Sequence, residues 1–100
     1  MRILEIKEKT GGIIYLTDER WHHISSEHPA VANRIEDIKE TITTPLAIRE
    51  SEYDSNVKFY YRYYKNLKSR AKYLMVAVKY LNGEGFIITS FYTDKLKGSK

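Results

Sequence analysis

The chain has 100 residues, 42% hydrophobic and 30% charged, with five Gly, two Pro and no Cys. That length holds one domain around one small core, too apolar for disorder, and the lack of Cys excludes disulfide frameworks, thiolate zinc sites, iron–sulfur clusters and thiol nucleophiles. The net charge of +4 is uneven: residues 1–52 carry seven Lys/Arg against ten Asp/Glu, and residues 53–100 carry ten against three.

From the N-terminus, MRILEIKEKT is too charged for a signal peptide, and no apolar run approaches the ~18 residues of a membrane span. Ile3 to Ile6 and Ile13 to Leu16, around Gly11-Gly12, read as one or two short strands. Thr17 is an N-cap candidate, and Asp18 and Glu19 offset the positive end of the dipole of a helix from Asp18 to His28. Trp21, Ile24 and His28 share one arc of that helix with Thr17, which faces them to the core. Pro29 ends this helix and suits the first turn of a second, in which Val31, Ile35, Ile38 and Ile42 recur at helical spacing before Pro45.

From Leu46 the period becomes alternating. Leu46 and Ile48 alternate with Ala47 and Arg49, and Val57, Phe59, Tyr61 and Tyr63 alternate with Lys58, Tyr60, Arg62 and Tyr64. Two further strands, Tyr73 to Tyr80 and Phe86 to Tyr92, flank the hairpin turn Asn82-Gly83-Glu84-Gly85. Strict alternation puts Ile87, Thr89 and Phe91 on one face of the last strand and Phe86, Ile88 and Ser90 on the other. The expected fold is α+β: two N-terminal helices packed on an antiparallel four-stranded meander, with an extra short N-terminal strand in reserve. One domain spans residues 1–100, with a flexible basic tail from about Lys95.

Several polar groups invite chemistry. All three His fall between Asp18 and His28; Arg20, His23 and Glu27 share one flank, where a carboxylate and a guanidinium can set the charge state of an imidazole for acid–base work. The plainer readings are a solvated helix face for His22 and His23 and a helix-ending core contact for His28. Adjacent His residues point about 100° apart and match no zinc spacing, so no metal and no cofactor is expected. Cations interleave with rings in Lys58-Phe59-Tyr60-Tyr61-Arg62-Tyr63-Tyr64-Lys65, a composition suited to phosphates and unstacked bases. Ordinary strand packing explains the same rings without any ligand.

With the residues placed, Leu16-Thr17-Asp18-Glu19-Arg20-Trp21-His22-His23-Ile24, then His28-Pro29, Ile38 to Ile42 before Pro45, and Phe86-Ile87-Ile88-Thr89-Ser90-Phe91-Tyr92 resemble phage-associated nuclease domains grouped with barnase, EndoU, colicin E5/D and RelE. The resemblance runs from Ile13 to Lys97. It implies a ribonuclease acting without metal, used as a toxin or effector and restrained by a partner protein, with Arg20, His23, His28, Thr89 and Ser90 at its motif positions. The resulting expectation is a cytoplasmic endoribonuclease in which the substrate's 2′-hydroxyl is the nucleophile. His23 would serve as base or acid, Arg20, Arg62 and Lys79 would stabilise the phosphate, and Thr89 or Ser90 would donate a hydrogen bond. RNA would be held by Tyr60, Tyr92 and the basic loop residues Lys65, Lys68, Arg70 and Lys72. The expected partners are RNA and an acidic inhibitor (antitoxin) protein, with no membrane. The rival readings are a non-catalytic RNA-binding or protein-docking module and a homodimer joined through a free sheet edge.

Overall fold

The computed structural model describes residues 1–8, 11–67 and 69–97. In chain order these form β1 (Arg2–Lys7), β2 (Ile13–Thr17), α1 (Asp18–Glu27), a 3-10 turn (Pro29–Val31), α2 (Ile35–Thr43), β3 (Ala47–Glu50), β4 (Val57–Tyr63), β5 (Tyr73–Leu81) and β6 (Glu84–Thr93). The class is α+β, but the sheet is six-stranded and mixed, in the order β1-β2-β6-β5-β4-β3.

The expected four-stranded meander is present as β3 to β6, antiparallel throughout. What corrects the expectation is the N-terminal hairpin. β2 joins the free side of β6 in parallel through Ile13–Glu84, Ile14–Gly85 and Tyr15–Phe86, and β1 pairs antiparallel with β2. Gly85 permits the close approach: a Cβ there would lie 2.8 Å from Val78 Cγ1 and 3.1 Å from Ile14 Cγ1. A parallel pairing needs a long crossover, and the helices supply part of it.

Local chemistry sets the helix ends. Thr17 Oγ1 accepts the Arg20 N–H at 3.1 Å, and the His28 N–H closes the last turn of α1 on the Ile24 carbonyl at 2.8 Å. Pro29, lacking an N–H, starts only a single 3-10 turn, so the second helix is shorter than expected and begins at Ile35. Val31, Ile38 and Ile42 nevertheless all reach the core. Asn82 and Gly83, both at positive φ, form the two-residue β5–β6 turn whose twist suits a hairpin.

The main core lies between the helices and one face of the sheet, with Ile14, Leu16, Ile24, Ile38, Val76 and Ile87 almost fully buried. Each such aliphatic side chain contributes about 1.5–3 kcal/mol of hydrophobic stabilisation. A smaller cluster of Tyr61, Met75 and Ala77 sits on the opposite, helix-free face. The expected loose tail is in fact docked there as far as Lys97: Leu96 packs on this cluster and the Lys97 N–H donates to the Tyr61 hydroxyl at 2.8 Å.

β6 departs from strict alternation. Its register against β5 slips between Ala77 and Val78, leaving Ile88 as an extra residue, a β-bulge. Ile87 and Ser90 therefore both face the helices and are buried, while Thr89 pairs with Ala77 and Phe91 with Met75 on the helix-free face. This overturns the expected grouping of Ile87 with Thr89 and Phe91.

Candidate nucleic-acid interface

The helix-free face displays a row of side chains across the sheet. Tyr15 on β2 pairs with Phe86 on β6, and Phe86 pairs with Lys79 on β5. The Tyr15 and Phe86 ring centroids are 6.2 Å apart with a 35° tilt. Together with Thr17, Glu19, Arg20 and Ile87 these two rings line a groove of about 180 Å³ between the start of α1 and β6. β2 pairs with only the first three residues of β6, so α1 takes over as the neighbour of the rest of that strand.

A second, more open depression adjoins it. Asp18, Glu19, His22 and His23 line it, so Glu19 is common to both. Helical spacing accounts for this: His23 follows Glu19 by four residues and Arg20 by three, which places all three on one flank of α1. His22 and His23 are exposed, with ring centroids 6.5 Å apart. His28 is half-buried with its ring centroid 5.1 Å from that of Phe91, further along the same strand.

The remaining candidate residues divide between the two faces. Arg20 lines the groove and His23 the depression next to it; Lys79 is the cross-strand neighbour of Phe86, and Thr89 lies on the same face. Lys79 also pairs with Asp54 at 3.2 Å. The Asp54 carboxyl is held below its ordinary range by the Asn56 N–H and then by Lys79. The other candidates sit apart from this groove, on the helix side. Ser90 is fully buried and its hydroxyl donates to the Met75 carbonyl at 2.8 Å. Tyr60 is buried, and its hydroxyl and that of Tyr80 contact one another and lie 2.9 and 2.8 Å from Glu8 Oε1, a triangle whose three sides share the two phenolic protons. Burial, with Glu8 adding to it, pushes the Tyr60 hydroxyl up to about 12.

Arg62 caps α2. Its guanidinium donates to the Thr44 carbonyl at 2.6 Å and pairs with Glu40 at 3.2 Å, so the end of the helix dipole and a carboxylate already engage it. Tyr92 faces the core, and burial raises the pKa of its hydroxyl, which has no hydrogen-bond partner among the described residues. In the β4–β5 loop, Lys65 and Arg70 are exposed, while the Lys72 ammonium turns inward to the Lys65 and Leu67 carbonyls. Lys68 lies outside the described residues.

Sequence reasoning passed over Tyr15, Thr17 and Phe86 as site residues and gave Glu19 only a dipole role. The spacing of Glu19 to His23 was a readable signal. The meeting of Tyr15 with Phe86 was not, because it depends on a parallel pairing between residues 71 positions apart.

Residues 4–100 match the family model described as phage-Barnase-EndoU-ColicinE5/D-RelE like nuclease2. The chain belongs to this nuclease family, and a nucleic acid is accordingly the substrate class. No curated protein and no solved structure matches the chain. Among the described residues no helix is long and apolar enough to cross a membrane.

Proposed function

We propose that the chain is a metal-independent endoribonuclease of toxin or effector type that works on the helix-free face of its sheet. The observation that carries this is that Glu19 lines both depressions, with His23 on one and Arg20 and two aromatic rings on the other. In this reading RNA stacks a base on the ring floor, and Arg20 and Lys79 approach its phosphate from opposite sides of Phe86. The 2′-oxygen bonds to phosphorus as the phosphorus–5′-oxygen bond breaks. His23 takes the proton from the 2′-hydroxyl, and His22 is the second imidazole, returning a proton to the departing oxygen. Thr89 contributes a hydrogen bond from β6, and Lys65 and Arg70 hold flanking phosphates.

Arg62, Ser90, Tyr60 and Tyr92 have no part in this reading, since each is committed to the helix side of the sheet. The site of action is cytoplasmic, and an acidic inhibitor protein would bind through exposed cations such as Lys65 and Arg70. The experiment is incubation of the purified protein with labelled total RNA in EDTA. Discrete fragments ending in 2′,3′-cyclic phosphate support the proposal.

The exposure of His23 and the pairing of Lys79 with Asp54 favour a second reading, a non-catalytic RNA-binding module. Intact RNA together with salt-sensitive binding would select it.

A further inference from the structure

The helix side of the sheet holds a cavity that has no part in the nuclease reading. β1 and β3 lie at opposite ends of the strand order, yet Ile6 of β1 and Ile48 of β3 line one cavity of about 380 Å³. The sheet therefore curls until its two edges approach, and Ile42 from the last turn of α2 and Pro45 wall the space between them. Most of that wall is aliphatic. The volume lies in the range that holds small organic ligands, whose sites join an apolar wall to a few placed polar groups.

Glu8 supplies the charge. It is half-buried, and the hydroxyls of Tyr60 and Tyr80 lie 2.9 and 2.8 Å from its Oε1. Among the described residues Oε2 accepts no hydrogen bond and the carboxylate joins no ion pair. Gly12 leaves room at Oε2, since a Cβ there would stand 3.1 Å from it. A partly desolvated anion without a counter-charge is costly, and an incoming cation relieves that cost. One cation is already drawn to the cluster: the Lys58 ammonium sits over the Tyr80 ring, 5.6 Å from its centroid. The other polar groups of the cavity compete little with Glu8. The Thr43 hydroxyl is committed to the Lys39 carbonyl at 3.0 Å, and Lys7 is exposed, with a stem that lets its ammonium turn out to water.

We propose that this cavity binds a small primary amine, its ammonium on Glu8 and its hydrocarbon body against Ile6, Ile42, Pro45 and Ile48. Isothermal titration calorimetry at neutral pH would compare cyclohexylmethylamine, cyclohexylmethanol and cyclohexanecarboxylate, which share one ring and differ in the charge of the head. The amine should bind about tenfold tighter than the alcohol, the scale of a hydrogen bond to a charged group, and the acid should bind weakest. Glu8→Gln keeps the size of the side chain and should bring the amine to within about twofold of the alcohol. Ile48→Lys sets a like charge at the mouth, at a position 46% exposed, and should weaken the amine as strongly; it carries the test should circular dichroism show Glu8→Gln unfolded. An amine that binds no tighter than the alcohol would overturn the proposal, as would the acid binding tightest or an amine preference that survives the folded variants. RNA cleavage enters none of these readouts, because Glu8 and the two Tyr lie on the helix side of the sheet, away from the groove.

Discussion

Thr89 and Ser90 are neighbours in the chain and lie on opposite faces of the sheet. Ordinary strand alternation separates them, and the bulge at Ile88 sets which face each takes: Thr89 pairs with Ala77 on the helix-free face, and Ser90 is sealed under the helices with its hydroxyl on the Met75 carbonyl. Ser90→Ala should cost about 1 kcal/mol in urea unfolding and leave RNA binding per folded molecule unchanged. Thr89→Ala should leave stability within about 0.5 kcal/mol and weaken RNA binding or cleavage several-fold. The reverse pattern would put the site on the other face.

Gly85 tests the parallel pairing that brings Tyr15 to Phe86. Gly85→Ala drives a methyl against Val78 and Ile14 in a packed core, and should destabilise the protein by about 1–3 kcal/mol. A neutral substitution would mean that β5 and β2 do not close around Gly85 as described.

How much of this was legible in the sequence depended on how local each feature is. The meander was readable because Leu74, Val76 and Val78 alternate cleanly and Asn82-Gly83 demands a turn. The bulge was not, because Phe86, Ile87 and Ile88 are all apolar and either phase of alternation satisfies them. The break before α2 was hidden for a related reason: Val31 and Ile35 are four apart, a spacing that fits both a continuous helix and a turn that happens to point both side chains inward. Alternation sets Tyr60 and Arg62 apart from Val57 and Phe59, as the structure has them, but rings on both sides of β4 conceal which face the helices cover. Glu8, the partner of Tyr60, is 52 residues away and reaches it only because the two are brought together across the folded sheet. On α1, where spacing alone sets direction, the common flank of Arg20 and His23 is readable from the sequence.

Arg62 and Lys65 should behave differently although both are cations of the aromatic segment. Arg62→Ala removes the cap on the Thr44 carbonyl and should lower stability by about 1 kcal/mol, a figure reduced for its partial exposure. The salt dependence of RNA binding should not change. Lys65→Ala and Arg70→Ala should leave stability alone, and each should flatten the plot of log affinity against log salt by about 0.7 for single-stranded RNA. Salt titrations of the three variants decide the matter.

The Glu8–Tyr60–Tyr80 cluster predicts an alkaline weakness. With the Tyr60 hydroxyl raised from about 10 to about 12 by burial and Glu8, the folded state keeps a proton that the unfolded chain loses. Stability from this group is complete below pH 10 and is lost as the pH rises towards 12. Urea unfolding at stepped pH should therefore show the difference between wild type and Tyr60→Phe shrinking above pH 10. A difference independent of pH would contradict the assignment.

The most direct test of the central claim is cleavage of labelled total RNA in EDTA by wild-type protein beside His23→Ala. The account predicts fragments ending in 2′,3′-cyclic phosphate from the wild type and a loss of at least about 100-fold in the variant, the usual scale for removal of a general base. His23→Ala protein that cuts as fast as wild type would remove His23 from the site, and RNA left intact by the wild type would contradict the nuclease mechanism itself.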